Sequence, residues 1–226
     1  VDEELTPSGQ SMPEFVGGLT SYVTRWNGLH VVGLDAAGDV WGVWSGNGGQ
    51  TWFVNNLSDI TGAPSYSSEL TVFISSWDGI HIAGLDDSGE VLATWWTPAL
   101  VGEWVVTSLT DTVGGDVFFA GSTITSYIAF EAGLNVIGLN DAGELIGLFW
   151  TPGREEAGLG WGVANLTAEL SVPTADRPVA NLDSRIFADE LNIFGTAADD
   201  DVVRFSFDPS DDAWTFSNVT DDAIPS

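Results

Sequence analysis

The chain has 226 residues and 44% hydrophobic content, enough to bury the core of one large all-β domain. Thirty-three acids face five Arg and no Lys, a formal net charge of −28, which makes phosphate backbones and anionic headgroups poor partners and argues against nucleic acid. No apolar run reaches the roughly eighteen residues of a membrane span, so no membrane insertion is expected.

Cysteine is absent, which neither supports nor excludes export, because a core of this size needs no disulfides. The charge has two readings: adaptation to salt and solubility, or acidic clusters that hold Ca²⁺ or meet a cationic partner. The chain opens at Val1 without a charged-then-apolar leader, as expected of a mature or excised piece. Leu5-Thr6 lies 52 residues before the equivalent Leu57-Ser58, so residues 1–18 read as a partial blade, either the remnant of a preceding one in a longer parent chain or a wrap around an outer edge.

From there one pattern repeats. Gly28-Leu29-His30-Val31-Val32-Gly33-Leu34-Asp35-Ala36-Ala37-Gly38-Asp39-Val40 recurs from Gly79 to Val91 and from Gly133 to Leu145. A worn fourth copy runs through Glu190-Leu191-Asn192-Ile193-Phe194-Gly195, with Asp200 where the turn glycine should stand. Gly33, Gly84, Gly138 and Gly195 are spaced by 51, 54 and 57 residues. The repeats fall at about 19–69, 70–123, 124–178 and 179–226 of one propeller domain.

Each repeat predicts four short strands. The first is read over Leu19 to Trp26, Leu70 to Trp77 and Ile124 to Glu131. The second carries the His-Val-Val-Gly-Leu core, and Asp-x-x-Gly-Asp/Glu then supplies a tight reversal with glycine at positive φ. The third includes Trp44 or the Trp95-Trp96 pair. After a variable loop, the fourth opens at Trp52, Trp104, Trp161 or Trp214, residues expected to pack between blades, and ends in Asn56-Leu57-Ser58 or its equivalents. Four strands per period near fifty residues predict an all-β propeller with about four four-stranded blades in this chain, a larger ring being the alternative.

Ser76-Trp77-Asp78-Gly79-Ile80-His81-Ile82, followed by Trp95-Trp96 and Trp104, resembles the blade repeat of bacterial and fungal propeller lectins that bind fucose and related sugars. The resemblance implies a propeller fold and glycan binding. Where those lectins carry an Arg for sugar hydroxyls, this chain has His30, His81, Asn135 and Asn192, and where they carry a Glu on the third strand it has Gly42, Ala93 and Gly147. Ser45-Gly46-Asn47-Gly48-Gly49-Gln50-Thr51-Trp52 resembles the Asp-box hairpin of sialidase-like propellers, with Asn for Asp, and implies the fold rather than that activity.

The candidate ligand-binding residues are Trp26, His30, Trp77, His81 and Trp96. Trp26 and Trp77 share a strand-to-loop junction that takes Glu131 in the third copy, as a surface position would. An indole there could stack on a sugar ring; packing is the other reading. The two histidines read either as blade residues satisfied by a carbonyl or as donors to a ligand. Asp199, Asp200 and Asp201, with Asp208 to Asp212, are calcium candidates on the chemistry of clustered oxygens, or else solvated loops; no other cofactor is expected. The remaining acids sit in hairpin turns, and no catalytic pair stands out, so the chain is read as non-enzymatic. Asn56, Asn165 and Asn218 begin glycosylation sequons within the repeated strand end. Together these features point to a non-catalytic binding module, extracellular or at the cell surface, with glycan as the leading ligand. The alternative is a structural subunit of a surface layer, filament or oligomer that works through protein contacts.

Overall fold

The computed structural model describes residues 11–115, 118–129 and 132–223. The partial strand expected around Leu5-Thr6 lies outside the described residues, as does Glu131. Four four-stranded antiparallel sheets follow one another, each meandering in chain order. The first comprises β1 (Gly17–Val23), β2 (Leu29–Leu34), β3 (Val40–Ser45) and β4 (Phe53–Asn56); the second β5 (Thr71–Ile74), β6 (Ile80–Leu85), β7 (Val91–Trp96) and β8 (Val105–Ser108). The third comprises β9 (Thr125–Ile128), β10 (Leu134–Leu139), β11 (Leu145–Trp150) and β12 (Gly162–Asn165); the fourth β13 (Pro178–Phe187), β14 (Glu190–Ala197), β15 (Val202–Asp208) and β16 (Ala213–Asn218). These are the four four-stranded, all-β blades expected from the repeats.

The chain divides into two compact units, Val1–Thr110 with the first two sheets and Asp111–Ser226 with the last two. The first buries Val32, Leu34, Val40, Leu57, Tyr66, Leu70, Ile80, Ile82, Leu92 and Trp96 in one cluster. The second does the same around Ile137, Leu139, Leu145, Leu191, Ile193, Val203 and Phe205. Strands β6 and β10 are buried along their whole length, because each is an inner strand packed on both faces.

The Asp-x-x-Gly turns form as expected. Asp35 Oδ1 accepts from the amides of Ala37 and Asp39 at 2.8 and 3.1 Å, and Gly38 sits at φ 81°. Asp86 and Asn140 close their turns in the same way. The fourth turn survives its missing glycine: Asp200 takes φ 69°, and the Ala197 amide donates to the Asp201 carbonyl at 2.8 Å. Short polar side chains tolerate the left-handed region, so this copy is less decayed than its sequence suggests. The Asp-box-like hairpin also joins β3 to β4: Ser45 Oγ accepts from the Gly49 amide at 2.9 Å and Asn47 Oδ1 from the Thr51 amide at 2.9 Å.

The expected end of the fourth strand needs correction. Leu57–Thr61 is a single helical turn (α1), repeated as Leu109–Val113 (α2), Leu166–Glu169 (α4) and Val219–Ala223 (α5). A fifth helical turn, α3 (Pro152–Glu156), occupies the loop between β11 and β12. The sequon residues explain the repeated turns. Asn56 Oδ1 caps α1 by accepting from the Asp59 amide at 2.9 Å; Asn165 and Asn218 cap theirs at 2.8 and 3.1 Å. Two residues on, Ser58 Oγ accepts from the Val40 amide at 2.9 Å, with Thr110, Thr167 and Thr220 meeting Val91, Leu145 and Val202. Asn caps the turn, and the hydroxyl anchors it to the start of the third strand.

Candidate functional site

Trp26 stands in the turn after β1, and Trp77 in the matching turn after β5. In the first, Gly28 N–H donates to Thr24 Oγ1 at 2.9 Å and Asn27 takes φ 61°; in the second, Gly79 N–H donates to Ser75 Oγ at 2.8 Å and Asp78 takes φ 65°. A Cβ on Gly28 would come within 2.7 Å of both His30 Nε2 and Thr24 Oγ1. One on Gly79 would meet Ser75 Oγ at 2.6 Å and His81 Nε2 at 2.9 Å. The glycine before each histidine is therefore what lets the imidazole reach under its turn. Both indoles are half-exposed, at 38% and 37%.

The histidines belong to a cross-strand row of rings. Tyr22, His30, Trp44 and Phe53 lie opposite one another on β1 to β4 and stack in succession at centroid distances of 4.6, 6.1 and 4.6 Å. The second sheet repeats this with Phe73, His81 and Trp95 at 4.8 and 6.1 Å, ending on Val105. The third sheet places Tyr127, Asn135, Phe149 and Gly162 there, and the fourth Arg185, Asn192, Ser206 and Thr215. Carbonyl partnership holds for the asparagines: Asn135 Nδ2 donates to Gly133 O and Asn192 Nδ2 to Glu190 O, both at 3.2 Å. His81 differs. It is 7% exposed, its Nε2 is buried without a hydrogen-bond partner among the described residues, and burial pushes its pKa down to about 4.

Between the first two sheets, inside the first unit, lies a cavity of about 970 Å³. Tyr22, His30 and Trp44 form its wall on one sheet, and Ile80, Trp96 and Trp104 its wall on the other. Trp26 reaches over from the β1–β2 turn and meets Trp96 edge-to-face at 5.8 Å. The loop from Pro98 to Glu103 closes one side: a 3-10 turn over Pro98–Leu100 is followed by Val101 at φ 52° and Gly102 at φ 90°. Polar groups are few. Trp44 Nε1 donates to Asn55 Oδ1 at 3.1 Å, Asp78 Oδ1 lies 3.4 Å from Arg25 Nε, and Glu103 adds a carboxylate. Burial raises the Tyr22 hydroxyl far above its usual pKa, so it stays a neutral donor.

The structure thus brings Trp26, His30 and Trp96 into one site. Trp77 and His81 do not line that cavity; they meet each other edge-to-face at 6.4 Å. Strand alternation is the reason: Ile80 faces the cavity, so His81 must face the other way. Of the tryptophans expected to pack between blades, Trp104 and Trp214 pack against the buried clusters of their units, whereas Trp52 is 43% exposed in its hairpin. Tyr22, Trp44 and Asn55 were not singled out from the sequence. The signal for Tyr22 was present in the aromatic recurring at 22, 73 and 127, but its meaning depends on register.

Asp199 and Asp200 are exposed, and Asp201 Oδ2 accepts from Asn218 Nδ2 at 2.8 Å. Among the described residues no group of three His, Cys, Asp or Glu side chains converges as a metal site. The turn acids are engaged locally. Slight burial favours the neutral form of Asp35, but hydrogen bonds from the Trp41 indole and from the Asp39, Ala37 and Gly38 amides outweigh it and hold the carboxyl below its usual pKa. Hydrogen bonds from Asn140 and Asn165 do the same for Glu144. Among the described residues no helix is long and apolar enough to cross a membrane.

Solved structures match this chain over most of its length. BP39L lectin from Burkholderia pseudomallei superposes with a TM-score of 0.65 at 15% identity, covering 88% of this chain and 54% of its own. A triple arginine-to-alanine mutant of AofleA from Arthrobotrys oligospora gives 0.63 at 11% identity, covering 93% and 58%. SapL1 lectin, solved with alpha-methyl fucoside, gives 0.61 at 14% identity, covering 91% and 63%. The fold is that of the propeller lectins. This chain spans less than two thirds of the length of each of these proteins. No family model matches the sequence, and no curated protein does.

Proposed function

We propose that this chain is a non-catalytic glycan-binding module, acting outside the cell or at its surface, and that the cavity between its first two sheets holds the saccharide. The observation that carries this reading is the cavity itself, about 970 Å³ bounded by Trp26, Trp44, Trp96 and Trp104. Indole faces cover the apolar faces of pyranose rings, while a few fixed polar groups meet the hydroxyls. His30 takes the place at which the lectin-like repeat carries Arg, and its imidazole supplies fewer donors than a guanidinium. The engaged turn acids support the non-enzymatic reading, as does the lectin fold.

A glycan array probed with the wild-type chain and with Trp26→Ala tests the reading. Wild type is expected to be retained on a defined set of glycans, and Trp26→Ala to lose retention with its circular dichroism unchanged. If the wild-type chain binds no glycan, assembly through protein contacts takes its place. Two observations favour that second reading: the aromatic row has vanished in the fourth sheet, and Met12, Val16, Leu19 and Val23 leave apolar surface exposed on and before β1.

A further inference from the structure

The same cavity carries a charge pattern that narrows its ligand, an inference that rests on the glycan-binding reading. Between residues 11 and 110, Arg25 is the only Lys or Arg, and its guanidinium is engaged at 3.4 Å with Asp78 on the cavity wall. Glu103 stands on the same wall and forms no ion pair among the described residues. Four indoles share the lining with aliphatic side chains such as Val32, Leu57 and Ile80. Of the edge-to-face pair Trp26 and Trp96, the ring that contributes its edge keeps both faces clear of its partner. An indole face bears the negative end of the ring quadrupole and attracts cations. The position that would offer a permanent positive charge holds His30 instead. An anionic sugar entering here would meet two carboxylates, aromatic faces and the field of a chain with net charge −28.

We propose that the cavity selects a saccharide bearing a protonated amino group, a cationic amino sugar rather than a neutral or N-acetylated one. The sugar ring lies against an indole, and its ammonium sits between an aromatic face and the Glu103 carboxylate. Glu103 and the indoles recognise the cation, and Arg25 keeps Asp78 partly neutralised, which leaves Glu103 as the principal anionic contact.

Isothermal titration at about pH 6, where most glucosamine amines carry a proton, and at moderate salt tests this with three probes of equal length: a β-linked glucosamine tetramer, its fully N-acetylated form and the neutral glucose tetramer. The glucosamine tetramer is expected to bind about tenfold tighter than either congener. Glu103→Gln should erase that preference, while Asp87→Asn, an exposed turn acid that does not line the cavity, should preserve it. Each substitution changes the net charge by one in 28, so a general attraction between a polycation and an acidic protein would survive both. A preference that persists in Glu103→Gln overturns the proposal. So does equal or tighter binding of the neutral or acetylated tetramer, which leaves the glycan-binding reading intact. Failure of all three tetramers to bind also overturns it, and the array then decides separately whether any glycan is a ligand.

Discussion

His81 offers the sharpest energetic prediction. It is buried between Phe73 and Trp95, its Nε2 has no hydrogen-bond partner among the described residues, and burial lowers its pKa from 6.5 to about 4. As pH falls through 6.5, the unfolded chain takes up a proton that the folded chain refuses until about pH 4. The folded state therefore loses stability across that window, and the loss levels off below it. At about 1.4 kcal/mol per pKa unit, the full penalty is about 3 kcal/mol. His81→Asn removes the titration and has a precedent within the chain, since Asn135 and Asn192 occupy this position and donate to a carbonyl two residues earlier. The variant loses ring stacking, about 1 kcal/mol, but that offset does not vary with pH. Falling pH also neutralises carboxylates and relieves self-repulsion, equally in both proteins, so the difference between them isolates the histidine. Urea unfolding at fixed ionic strength, from pH 7.5 to pH 4, should show wild type losing about 3 kcal/mol relative to the variant. A flat difference curve would mean that His81 takes up its proton alike in the folded and unfolded chain.

Melting temperature should rise as NaCl is added from low levels, because screening relieves the repulsion of 28 net negative charges; a steady fall would contradict this. Gly79→Ala should cost roughly 1–3 kcal/mol in urea unfolding, since its Cβ would lie 2.6 Å from Ser75 Oγ; an unchanged midpoint would mean the turn yields. Thr167→Val should also cost roughly 1–3 kcal/mol, because the Leu145 amide loses its acceptor at 2.8 Å within a buried setting. A neutral outcome there would show that the hydroxyl does not anchor the helical turn.

The blades were legible because each is written locally. A period near fifty, a polar cap and a glycine at positive φ specify a hairpin without reference to anything distant, and even Asp200 reproduces the turn. The helical turns were missed because four or five residues carry no periodicity. Their signature was the Asn-x-Ser/Thr spacing, which places a cap two residues before a hydroxyl anchor. The site was half legible. Trp26, His30 and Trp96 converge as expected, whereas His81, at the same register in the second sheet, lies on the face opposite Ile80 and so outside the cavity between the two sheets. Tyr22 and Trp44 become neighbours of His30 only once β1, β2 and β3 are aligned.

In the proposed complex the cavity of the first unit holds a sugar among its indoles. Titration of ¹⁵N-indole-labelled protein with a glycan retained on the array, followed by two-dimensional NMR, locates the bound sugar. Shifts concentrated on the Nε1–H signals of Trp26, Trp44, Trp96 and Trp104, with Trp161 and Trp214 unmoved, are the predicted result. Shifts confined to tryptophans outside the cavity, or no shift at saturating glycan, would contradict it.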